Sequence, residues 1–114
     1  MHVTIEKSEF VAGLFFPQKV ADQSSNINPI LSNIQLVAGE DGSITCNATD
    51  ASVSVQSSFR GDVKEPGTAT VTAKILYSLV SNLSGDTVTL EKKENQLILQ
   101  SHKSRFELNT MLDE

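Results

Sequence analysis

The chain has 114 residues, 39% of them hydrophobic, no Trp, and a formal net charge of -5. That length supplies one core rather than two large ones. The acidic balance argues against a generic nucleic-acid patch, which needs locally clustered Lys and Arg, so the distribution of charge matters more than its sum.

Residues 1–6, MHVTIE, carry neither a basic nor an apolar signal region, and no later stretch reaches membrane-spanning length. The expectation is a cytoplasmic protein with no membrane partner. Val3 and Ile5 alternate with polar residues and predict a half-buried strand. Ser8 is a plausible N-cap, and Phe10, Val11, Leu14 and Phe15 then recur at helical spacing until Pro17 ends or kinks the helix. A polar loop from Asp22 to Asn26 and an Asn28-Pro29 turn follow, before Ile34 and Leu36 open the next strand. The Gly39-Glu40-Asp41-Gly42 turn leads into a strand from Ser43 to Asn47. A further run from Ser52 to Phe59 sets Val53, Val55 and Phe59 on one face.

Beyond the Glu65-Pro66-Gly67 turn signal the order restarts. Ala69 and Val71 mark a strand, and Ile75, Leu76, Leu79, Val80 and Leu83 mark a helix closed by Gly85. Three strands follow, around Val88 and Leu90, Leu97 and Leu99, and Phe106 and Leu108, with turns at 93–95 and 101–103. The chain reads β-α-β-β-β twice, with pseudo-repeat halves at about 1–62 and 67–112 of a single domain spanning 1–114. The predicted class is α+β, with two helices side by side on one face of mainly antiparallel sheets.

The residues capable of chemistry do not assemble into an enzyme pattern. Cys46, the single cysteine, lies on an alternating apolar stretch and is expected to be a small buried hydrophobe in a reducing compartment. His102 falls in a predicted turn without a nucleophile frame, and His2 and His102 lack metal-ligand spacing. No glycine motif cradles a phosphate. No catalytic residue, cofactor or metal is assigned. Asn47-Ala48-Thr49 and Asn82-Leu83-Ser84 are glycosylation triplets that matter only in a secreted chain. Arg60-Gly61-Asp62 is an integrin-type tripeptide, and it supports the alternative of a β-rich protein-binding or adhesive module with no DNA role.

Charge is distributed unevenly. Residues 7–20 and 73–83 hold Lys7, Lys19 and Lys74 against Glu9, a local balance of +2 that leaves -7 for the rest. The exposed face predicted for the second helix, with Lys74, Tyr77, Ser78 and Ser81, has no carboxylate to repel a polyanion. Near the C-terminal end, Lys103 and Arg105 sit on a strand with Phe106 and Leu108. Read by itself, this is an edge guarded by charge against aggregation.

Four stretches carry a resemblance: Asn28-Pro29-Ile30-Leu31-Ser32-Asn33, Ala48-Thr49-Asp50, Glu65-Pro66-Gly67 and Lys103-Ser104-Arg105-Phe106. In that order, on the duplicated β-α-β-β-β pattern, the chain resembles the N-terminal domain of the bacterial sliding DNA clamp, the beta subunit of DNA polymerase III. The resemblance covers nearly the whole chain. It implies a non-catalytic replication factor: three such domains per subunit, two subunits joined head to tail in a ring, helices lining the hole, and duplex DNA threaded through. Such a ring tethers the polymerase by effective concentration, and sequence-blind phosphate contacts permit sliding.

Carried over by position, Lys74 matches a basic family position near the hole and the subunit boundary and is the first candidate for DNA contact, with Lys7 and Lys19 behind it. The family often has an arginine after the first helix and another near the end of the second, where this chain has Asp22 to Ser25 and Ser81. The isolated domain is therefore expected to bind duplex DNA weakly. Polymerase and clamp loader would be engaged through domains outside this chain. The last strand would form the edge that meets a second subunit, with Phe106 and Leu108 as its apolar centre and Lys103 and Arg105 facing carboxylates.

Overall fold

Alternating apolar residues build the strands and two stripes at helical spacing build the helices in the computed structural model, which describes residues 1–23, 33–49 and 52–111. In chain order the elements are β1 (His2–Glu6), α1 (Lys7–Gln23), β2 (Asn33–Ala38), β3 (Ser43–Thr49), β4 (Ser54–Arg60), β5 (Asp62–Glu65), β6 (Gly67–Thr72), α2 (Ala73–Asn82), β7 (Thr87–Lys93), β8 (Gln96–Ser101) and β9 (Ser104–Asn109). They form one sheet in the order β5-β1-β7-β8-β9 and another in the order β4-β3-β2-β6, antiparallel at each pairing.

The sheets exchange strands. β1 precedes α1 in sequence but pairs with β7, Val3 opposite Leu90 and Ile5 opposite Val88. β6 precedes α2 but pairs with β2, Ile34 opposite Val71 and Leu36 opposite Ala69. Each β-α-β-β-β series thus lends its first strand to the other's sheet, so neither series completes a sheet alone. The strand faces toward the helices are apolar, and Ile5, Ile34, Leu36, Ile44, Leu90, Leu97 and Leu99 join Phe10, Leu14, Leu76 and Val80 in a single core. α1 lies beside α2 and packs on β3 and β4. The α+β architecture with paired helices agrees with the sequence reading.

Five details differ from that reading. α1 does not end at Pro17 but continues to Gln23, so Asp22 and Gln23 belong to the helix rather than to a loop. Proline removes one ladder hydrogen bond, yet Pro17 and Gln18 are buried here, and Gln18 Nε2 donates to the Phe15 carbonyl at 2.9 Å. Tertiary burial overrides the local break. α1 also starts at Lys7, whose N–H donates to the Asp86 carbonyl at 2.8 Å, so Ser8 lies inside the first turn. The apolar face of α1 is narrower than its spacing suggests: Phe10 and Leu14 are inaccessible, while Phe15 is 38% exposed.

β5 is an additional strand within the first series, paired with β1. Its sequence, DVKE, has one apolar residue and too little alternation to announce itself. At the second helix, the C-cap is Leu83, whose N–H bonds the Val80 carbonyl. Gly85, at φ 97°, supplies the left-handed turn toward β7 rather than closing the helix. The Asn28-Pro29 turn and Asp50 lie outside the described residues.

Candidate nucleic-acid interface and edge strand

The helix layer holds the three candidate lysines in three different states. Lys7 begins α1 beside the end of α2, and its Nζ donates to the Leu83 carbonyl oxygen at 2.5 Å. The contact is partly buried, and a cation there complements the partial negative charge at a helix C-terminus. Lys7 therefore has a structural role within the chain. Lys19 is exposed on α1, with Nζ 5.1 Å from the centroid of the Phe15 ring, a cation–π distance. Lys74 is exposed in the first turn of α2, where no acidic residue accompanies it.

With its observed bounds the helix pair carries Lys7, Lys19 and Lys74 against Glu9 and Asp22, a balance of +1 rather than +2. α2 itself still contains no carboxylate. Beside the lysines lies an aromatic group that the charge pattern did not announce. Phe16 is 62% exposed, and its ring meets Phe15 edge-on at 5.1 Å; Phe15 in turn lies 6.4 Å from Tyr77 across the helix pair. The signal that finds it is the adjacent Phe15-Phe16 pair: neighbours on a helix point about 100° apart, and both of these stay outside the stripe that Phe10 and Leu14 bury.

Ser81 lies on α2 with its Oγ buried and without a hydrogen-bond partner among the described residues. It lines a cleft of about 860 Å³ with Lys7, Ser8, Glu6 and Asp86. Two carboxylates beside one committed lysine leave that cleft with no excess positive charge.

The edge strand separates its four candidates more sharply. β9 pairs on one side with β8, Leu108 opposite Leu97 and Phe106 opposite Leu99, and it is the last strand of its sheet among the described residues. Leu108 is 8% exposed and belongs to the chain's own core, whereas Phe106, on the same face, is 37% exposed. Arg105 Nη1 pairs with Glu107 Oε2 at 2.6 Å on the opposite face, so its charge already has a local partner. Lys103 is exposed in the turn before the strand.

The residues singled out for other chemistries are placed differently. Cys46 is fully buried, and desolvation pushes its thiol up to about 12. A thiol so protonated is no nucleophile near neutral pH. Among the described residues no group of three or more His, Cys, Asp or Glu is arranged to hold a metal. Arg60-Gly61-Asp62 forms the corner between β4 and β5 rather than a projecting tip. A Cβ on Gly61 would lie 2.7 Å from Ile44 Cδ1 and 2.9 Å from the Thr4 carbonyl oxygen. Among the described residues no helix is long and apolar enough to cross a membrane.

A family model described as DNA polymerase III beta subunit, N-terminal domain, matches residues 1–114. The chain belongs to that family. A beta sliding clamp of Treponema pallidum is 31% identical over 116 residues, covering 100% of this chain and 31% of the relative. One from Synechocystis sp. is 34% identical over 91 residues, covering 79% of this chain and 23% of the relative. Among solved structures, Caulobacter crescentus pol III beta matches with a TM-score of 0.90 at 31% identity, covering 98% of this chain and 30% of that one. The chain thus spans under a third of these relatives. The likeness extends across both helices and both sheets, and it leaves the alternative of an adhesive module without support.

Proposed function

We propose that this chain is the N-terminal third of a ring-shaped replication clamp that encircles duplex DNA, slides on it, and holds a DNA polymerase there. The observation that carries this reading is the match of the whole chain, residues 1–114, to the N-terminal domain of the polymerase III beta subunit. The halves at about 1–62 and 67–112 are, in this reading, repeats of one ancestral unit. The protein is a non-catalytic accessory subunit, works in the cytoplasm, and meets polymerase and clamp loader through domains beyond this one.

Within that function the helices line the hole. Lys74 and Lys19 are exposed and supply weak phosphate contacts, while Lys7 serves the helix pair itself. Few contacts suit sliding, because each neutralised phosphate adds affinity and salt dependence without reading sequence. At the other end, β9 continues the sheet into a second subunit. Phe106 supplies the exposed apolar contact, Leu108 supports it from within the core, and Lys103 and Arg105 face acidic groups.

Retention on DNA tests this reading. The full-length subunit, loaded on nicked circular duplex, should co-elute with the circle in gel filtration and be released when the circle is cut. Equal retention on circular and linear DNA would show binding without encirclement and overturn it.

A further inference from the structure

We infer that β9 is complementary to itself: in the 114-residue chain it pairs with β9 of a second copy, antiparallel about Phe106, with Arg105 of each strand opposite Glu107 of the other. The contact uses only this chain's own edge and holds whether or not the clamp reading does. In the proposed ring the same edge is occupied by a different surface, so the β9 pair belongs to chains outside a ring. Among the described residues β9 is paired on one side only, with β8, and an open edge is a template for another strand.

The other edge strands are less suited to a second copy. β5 has four residues and is followed by Pro66, which has no N–H to donate. Along β6, the Met111 N–H bonds the Thr70 carbonyl at 2.8 Å and Lys92 Nζ bonds the Thr68 carbonyl at 3.0 Å, so that edge is already engaged. β4 is open, but its one charged residue is Arg60 at its end, so no pair of charges fixes a register there.

On β9 the charges select one register. A two-fold axis through the sheet keeps both helix layers on one face and sets residues opposite each other only when they face the same way. Centred on Arg105 or on Glu107, such a pairing puts two like charges directly opposite, which destabilises it. Centred on Phe106, it puts Phe106 opposite Phe106, Leu108 opposite Ser104, and Arg105 opposite Glu107 on both sides of the axis. The Arg105–Glu107 pair within each strand, at 2.6 Å, need not break, because the four charges then alternate in sign around a square. Their side chains are 52% and 43% exposed and free to reach across. Phe106, 37% exposed on the face toward the core, is covered by its own copy as an aromatic pair. Charges of one sign on an edge repel a copy of it. Opposite signs two residues apart attract one, and since the match is with the strand's own sequence, the occupant is a second copy rather than an unrelated strand.

Sedimentation equilibrium of the 114-residue chain tests this. A contact made by one strand is smaller than a standard interface, so the dimer should be weak, with a Kd on the order of 100 μM. Arg105→Glu and Glu107→Arg each set like charges opposite on both sides of the axis, and each should weaken self-association about tenfold or more. Thermal midpoints in dilute solution should match the parent's, because both side chains are exposed. Mixed in equal amounts, the two variants should form a heterodimer, since the acidic strand of one then faces the basic strand of the other. The double exchange, Arg105→Glu with Glu107→Arg, should restore the parent's association. A parent chain that stays monomeric at about 1 mM would overturn the inference. So would single variants that associate as the parent does, a mixture that stays monomeric, or a double exchange that fails to restore the dimer.

Discussion

Lys7 Nζ donates to the carbonyl oxygen of Leu83, a residue 76 positions away, and so fastens the first turn of α1 to the end of α2. The second helix ends without a basic residue in its own last turn, and Lys7 supplies from the neighbouring helix the cation that its C-terminus lacks. Lys7→Met should lower stability by about 1.5–3 kcal/mol, the range for losing a hydrogen bond that involves a charged group. The check is a urea titration, in which the midpoint falls at unchanged slope. Weak duplex binding should be nearly unaffected, since this ammonium is already engaged.

Gly13 permits α1 to sit against β4. A Cβ at this position would lie 2.5 Å from both Cδ1 and Cε1 of Phe59, whose ring also packs on Phe10 at a centroid distance of 5.8 Å. Helix propensity favours Ala over Gly by about 1 kcal/mol, whereas overpacking costs about 1–3 kcal/mol. The ring is rigid and already packs against Phe10, so packing wins. Gly13→Ala should destabilise the chain in thermal melts, and adding Phe59→Leu should recover part of the loss by vacating the space. Additive effects of the two substitutions would contradict the contact.

Cys46 makes stability depend on pH in the alkaline range. A thiol in water has an ordinary pKa of 9.0, and burial raises the folded-state value to about 12. Between these values the unfolded thiol loses its proton and the folded one keeps it, so the unfolded state binds fewer protons and stability falls as pH rises. The contribution is fully present below pH 9 and is lost progressively toward pH 12, at up to about 1.4 kcal/mol per pH unit. Cys46→Ala should flatten this slope in urea titrations across the window. A thiol-specific disulfide reagent should also leave the native chain unlabelled at pH 8 and label it fully in urea.

Strands with several alternating apolar residues were legible because alternation and burial are the same fact stated twice: Ile34, Leu36, Ile44, Leu97 and Leu99 all point inward. β5 was not legible, since its pairing comes from β1, with Val3 opposite Val63, rather than from its own composition. Pro17 misled because its helix-breaking effect is local, whereas the burial that carries α1 past it is tertiary. In the candidate site, the exposure of Lys74 followed from helical spacing. The engagement of Lys7 did not, because its partner is brought near only by folding. Phe15 shows the converse: its spacing matched the apolar face, but that face meets α2 along a narrower stripe than the sequence suggests.

Phe106 and Leu108 differ in burial, and that difference decides which of them can report on subunit contact. Leu108, at 8% exposure, is part of the core and sits opposite Leu97; Leu108→Ala should cost about 2–5 kcal/mol in this chain alone, as buried leucines do. Phe106, at 37% exposure on an edge strand, should tolerate Ala with a loss of about 1 kcal/mol or less. A double substitution would therefore confuse unfolding with dissociation. In the full-length subunit, Phe106→Ala alone should shift the sedimentation profile from dimer toward monomer while the melting midpoint of the isolated chain stays near that of the parent. An unchanged dimer would remove Phe106 from the proposed subunit contact. A collapse of the isolated chain's stability would place the residue in the core rather than at the edge.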